Sequence, residues 1–125
     1  MASAGIPEPV QRLIGRCIRS VEQLELLLLL RHDSARSWSP EEAARQLYTA
    51  PQSAELRLGE LVRARLVERD GDRYRYAADA ATDTVVGDLE RVYRTHRSRI
   101  IAMIFDKPPA PVQAFADAFR LRRDD

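Results

Sequence analysis

Ser39-Pro40-Glu41-Glu42 marks the start of a helix more firmly than any other run in the chain. A serine at the cap accepts a hydrogen bond from an orphan backbone N–H, and a Glu three residues later reaches back to the cap. Proline in the first helical position gives up only an N–H that has no partner there. Two acids then face the positive end of the helix dipole. From this start the helix runs through Ala43, Ala44, Leu47 and Tyr48 until Thr49-Ala50 breaks it. Pro51 opens another helix, whose apolar residues Ala54, Leu58, Leu61, Val62 and Leu66 recur at helical offsets.

Leu66-Val67-Glu68-Arg69 and Arg73-Tyr74-Arg75-Tyr76 follow, on either side of Asp70-Gly71-Asp72. Asp-Gly between two alternating segments predicts a β-hairpin. Tyr74 and Tyr76 share the packed face, and Arg73 and Arg75 share the solvated one. Upstream, Val10, Leu13, Ile14, Cys17 and Ile18 mark a leading helix. Ser20-Val21-Glu22-Gln23 reads as a second capping box, with Gln23 reaching back, which either restarts or kinks the helix before Leu24 to Leu30. Trp38 reads as a packing anchor on a first short strand. Downstream, one long helix is expected from about Thr82 to Phe105, then a proline linker, then an amphipathic helix from Val112 to Leu121. The fold class is therefore mainly α with a small β-hairpin (α+β). Its expected parts are residues 1–19 as leading segment, 20–80 as central domain, 81–106 as long helix and 107–125 as linker and short helix.

Twenty basic residues against nineteen acidic ones, in 125, leave a net charge of +1. Such a balance excludes a protein that coats nucleic acid or an anionic membrane by bulk charge. Met1 to Pro9 lacks the charged and apolar regions of a signal peptide, and the Leu26–Leu30 run is far shorter than the roughly 20 residues a membrane helix needs. A cytoplasmic location without membrane contact is expected. Cys17 is the single cysteine, so there is no disulfide framework, and it reads as a small buried thiol. His32 and His96 lie far apart in sequence and no cluster has metal-ligand spacing. With no phosphate loop, nucleophile elbow or paired-acid motif, neither an enzyme nor a cofactor is expected.

Helix, capped helix, tight break, helix and hairpin, in that order, resembles the winged helix-turn-helix of MarR-like and ArsR-like bacterial regulators. The matching positions run from Ser39 to Tyr76: Ala44 and Leu47 in the second helix, Ala54, Leu58 and Leu61 in the third, and Leu66-Val67-Glu68-Arg69 as the exit into the wing. With Val21 to Arg31 as first helix, the resemblance covers about half the chain. One position departs from it. Where the family has a left-handed glycine before the Leu-Val exit, this chain has Arg65. Either Arg65 bears a steric cost there or the turn differs.

The resemblance implies a cytoplasmic DNA-binding transcriptional regulator, with the third helix in the major groove and the wing on phosphates. The outward positions of that helix are Gln52, Leu56, Gly59 and Arg63, flanked by Glu55 and Glu60. Gln52, Ser53, Arg57 and Arg63 would approach double-stranded DNA, and Arg69, Arg73 and Arg75 would hold its backbone. A solvated hairpin accounts for the wing arginines equally well. The resemblance also implies a homodimer through a terminal helix, here along Val86, Leu89, Tyr93, His96, Ile100 and Met103. Otherwise the leading helix and the C-terminal segment cover that stripe within one chain. The alternative function is a protein-docking adaptor that uses Leu56, Gly59, Phe115 and Phe119 to hold a protein partner.

Overall fold

The computed structural model describes residues 5–106, so the linker and the Phe115/Phe119 segment lie outside the described residues. Six helices and one two-stranded sheet follow in the order α1 (Glu8–Cys17), α2 (Val21–His32), α3 (Pro40–Leu47), α4 (Pro51–Arg63), β1 (Val67–Asp70), β2 (Arg73–Tyr76), α5 (Ala80–Thr95) and α6 (Arg97–Asp106). This mostly helical arrangement with a small antiparallel hairpin is compatible with a winged helix.

The capping signals act where the sequence puts them. Ser39 Oγ accepts from the Glu42 N–H at 3.1 Å, and Glu42 Oε1 accepts from the Ser39 N–H at 3.1 Å. At α2, Ser20 Oγ accepts from the Gln23 N–H at 3.0 Å, so the helix restarts there. Gln23 reaches past the expected cap, however. Its Oε1 accepts from the Arg19 N–H at 2.6 Å and its amide donates to the Cys17 carbonyl at 2.8 Å. This side chain is buried, and it satisfies backbone groups that the α1–α2 link would otherwise strand.

β1 and β2 pair antiparallel with Val67 opposite Tyr76 and Asp70 opposite Arg73. The two-residue loop is therefore Gly71-Asp72, one place later than Asp-Gly, and Gly71 takes the positive φ (+67°) at its first position. Trp38 extends the sheet by one bridge, exchanging backbone hydrogen bonds with Tyr74 at 2.7 and 2.8 Å. Both rings are buried, as the alternation predicts for Tyr74.

Arg65 does occupy the left-handed region, with φ +65°. The exit is closed by hydrogen bonds from the Arg65 N–H to Val62 and from the Leu66 N–H to Leu61, which hold the residue in that conformation. An L side chain costs roughly 1–2 kcal/mol there, partly offset by the greater chain entropy glycine loses on folding. Arg65→Gly is expected to raise stability by up to about 1 kcal/mol, read as a higher urea midpoint at unchanged m.

The expected single helix over Thr82–Phe105 is instead two helices, broken at His96 (φ −130°, ψ 46°). Asp79 caps the first, accepting from the Thr82 N–H at 2.7 Å. The break leaves Ile100 and Ile104 in phase with Val86, Leu89 and Tyr93, so all five reach one core. That stripe is not an open seam. Val86, Leu89 and Ile100 are fully buried and Tyr93 nearly so, because α1 packs on both α5 and α6. The stripe expected to pair with a second copy is therefore covered within one chain. Met103 packs half-buried beside it. His96 stands at the break with its ring against Gly5, while Ile14 and Gly15 border Met103 and Asp106, so α1 and α6 run in the same direction.

Candidate nucleic-acid interface

α4 has two unlike faces. Ala54, Leu58 and Leu61 are fully buried against α2 and α3, as their spacing requires. On the other side Gln52, Glu55, Leu56 and Arg63 are exposed and Gly59 is half-buried. No other element among the described residues covers Gln52 and Leu56, while the Arg63 guanidinium lies over Gly59. Leu56 is 53% exposed, a large apolar side chain that the fold itself does not use.

Ser53 and Arg57 do not belong to that face. Ser53 Oγ donates to Glu22 Oε1 at 2.6 Å, and Thr49 Oγ1 donates to Glu22 Oε2 at 2.6 Å. Arg57 lies 3.6 Å from the same carboxylate and 2.8 Å from Glu60 Oε2. Burial pushes the Glu22 carboxyl up, but the hydrogen bonds from Ser53 and Thr49 and the Arg57 charge outweigh it and hold it below its ordinary value. The network fastens α4 to α2. Both residues expected at DNA are thus engaged inside the domain, because they sit one turn apart on the side of α4 that meets α2.

The wing arginines are also engaged. Arg73 is half-buried rather than solvated: its Nη2 donates to the Ser37 carbonyl and to Glu42 Oε1, each at 2.8 Å. It thereby ties the hairpin to the cap of α3. Arg75 pairs with Glu68 across the strands. Arg69 donates through Nε to the Gly71 carbonyl at 2.6 Å and lies over the Tyr74 ring at 5.7 Å. Beside the sheet, Tyr76 donates to Asp83 Oδ1 at 2.6 Å and Arg31 Nε to the same oxygen at 2.9 Å. These bonds hold the Asp83 carboxyl below its ordinary value, Tyr76 contributing most.

Arg63 differs from all of these. It stands at the last turn of α4 beside an open cleft of about 320 Å3, which Arg16, Cys17, Arg19, Gln23 and Glu60 also border. Among the described residues no carboxylate lies within ion-pair distance of Arg16, Arg19 or Arg63. Sequence reasoning found Arg63 but not Arg16 or Arg19, since only the folded chain brings the ends of α1 and α4 to one cleft. Tyr48 is a second feature it missed as a site: this residue caps α3 in the left-handed conformation (φ 57°) with its ring 96% exposed. Cys17, expected buried, lies half-buried at the cleft.

No group of three potential metal ligands occurs among the described residues, and no described helix is long and apolar enough to cross a membrane. Comparison with protein-family models, with curated proteins and with solved structures finds no match for this chain.

Proposed function

We propose that the chain is a winged-helix protein that binds double-stranded DNA through the exposed face of α4, acting as a transcriptional regulator rather than as an enzyme. The observation that supports this reading most is the exposed surface of Gln52 and Leu56, ending at Arg63, which has no carboxylate within ion-pair distance among the described residues. Gln52 can bridge an adenine edge, and Leu56 can meet a thymine methyl group. Arg63 supplies a phosphate or guanine contact. The contact set is smaller than the sequence implies, for Ser53, Arg57, Arg73 and Arg75 are held by partners within the domain. Glu55 on the same face opposes phosphate. Binding of this kind is modest in strength, with a shallow salt dependence set by its few phosphate contacts.

Selection of fragments from genomic duplex DNA at low salt tests the reading. Arg63→Ala is expected to lower the slope of log K against log salt by about 1, with all sequences weakened alike. Gln52→Ala is expected to relax discrimination at one base by about 1–3 kcal/mol instead. Absence of any duplex binding at low salt sinks the proposal.

The second reading, a protein-docking adaptor, draws on a different observation. Tyr48 and Leu56 expose large apolar surface, and Arg73 and Arg75 of the hairpin are already paired with carboxylates within the fold. Exposed aromatic and aliphatic anchors beside a small residue are typical of docking faces. A Leu56→Ala variant that keeps DNA affinity but loses a protein partner would favour the adaptor.

A further inference from the structure

We propose that the cleft between the ends of α1 and α4 is a binding site for phosphate groups. Arg16 comes from the last turn of α1, Arg19 from the link to α2 and Arg63 from the last position of α4. Most of the other described arginines, Arg31, Arg73 and Arg94 among them, hold carboxylates. These three hold none within ion-pair distance among the described residues, yet they border one cleft. Glu60 is the cleft's one carboxylate, and Arg57 takes it through Oε2 at 2.8 Å. Counting the adjoining Glu22 and Arg57 as well, four arginines outnumber two carboxylates, so the group as a whole is positive.

Guanidinium forks match pairs of phosphate oxygens, and forks from three separate elements suit a tetrahedral anion better than a planar carboxylate. The volume of about 320 Å3 stands near the lower end of small-molecule sites, roughly 300–1,000 Å3. It admits a free phosphate ester or one phosphodiester of a nucleic-acid strand. The site does not rest on α4 meeting DNA.

Cys17 borders the cleft and is the single thiol of the chain, so it reports occupancy. The experiment follows iodoacetamide labelling of the intact protein at constant ionic strength, with sodium chloride, inorganic phosphate or a short DNA duplex added. Labelling is expected to slow about threefold with phosphate at twice its dissociation constant, by mass action. The effect should vanish in the double variant Arg16→Ala/Arg19→Ala and persist in Arg45→Ala, an exposed arginine of α3 outside the cleft. Arg16 and Arg19 are exposed, and the Arg19 bond to Gln23 uses the backbone N–H, so the double variant keeps its fold. An unchanged urea midpoint checks that. Protection by inorganic phosphate assigns the site to a free phosphate group. Protection by the duplex alone, lost in the double variant, assigns it to a strand backbone. Protection by neither, or protection that survives the double variant, overturns the site. Phosphate protection without duplex binding keeps the site and removes only the DNA reading.

Discussion

Leu58→Ala is expected to destabilise the protein by about 2–5 kcal/mol, while Leu56→Ala, two residues away on the same helix, changes stability by no more than about 0.5 kcal/mol. Leu58 is fully buried, with Ala54 and Leu61 beside it on the inner face of α4, and its truncation leaves a cavity where α4 packs on α2. Leu56 is 53% exposed and gives up little when it is shortened. A domain of this size holds about 5–15 kcal/mol in all, so the first change removes a large part of the total. Urea unfolding followed by circular dichroism measures both. Equal losses in the two variants would mean that α4 does not face the core as described. A Leu56→Ala protein of native stability is also the right reagent for any binding measurement on this face.

Glu22→Gln has the next largest effect, and its sign depends on pH. Glu22 accepts from Ser53 and Thr49 at 2.6 Å each and neighbours Arg57, with its side chain only 22% exposed. Hydrogen bonds to a charged group contribute about 1.5–3 kcal/mol each and the amide keeps one acceptor oxygen, so a neutral amide here is expected to cost about 1–3 kcal/mol at pH 7. The folded carboxyl titrates below its ordinary value of 4.5. A depressed carboxyl adds stability that is complete above the unfolded value and is lost as pH falls through the folded one. The wild type should therefore exceed Glu22→Gln by a constant margin above pH 4.5, and the margin should close on acidification below it. A margin that stays flat down to acid would show that Glu22 does not hold α4 by its charge.

The parts of this fold that were legible in the sequence are those whose cause lies within a few residues. Ser39 and Glu42 recognise one another across three positions, Asp70-Gly71 marks the hairpin to within one residue of its loop, and Arg65 sits where the chain turns left-handed. The same logic reached only the nearer half of each network. Gln23 could be assigned to a cap, but its Cys17 contact depends on how α1 ends. Ser53 and Arg57 looked available because Glu22, 31 residues before Ser53, cannot be placed opposite them by periodicity. Arg73 looked solvated for the same reason, with Glu42 31 residues away. The break at His96 escaped because the apolar pattern continues in phase through it, with neither proline nor glycine to mark a stop. The cleft arginines share no local signal at all.

The packing of α1 along α5 and α6 has a consequence for how the chain is made. α1 leaves the ribosome before every other described helix, yet the surface that shelters its apolar side belongs to the last two described helices. Val10 and Leu13 must remain without that shelter while everything between is synthesised. The middle of the chain, from α2 to β2, has near neighbours to fold upon, whereas closing α1 on α6 joins the first and last described helices and should come late. Birth order and completion order are thus opposed in this protein, and the window between them is when it is most open to misassembly.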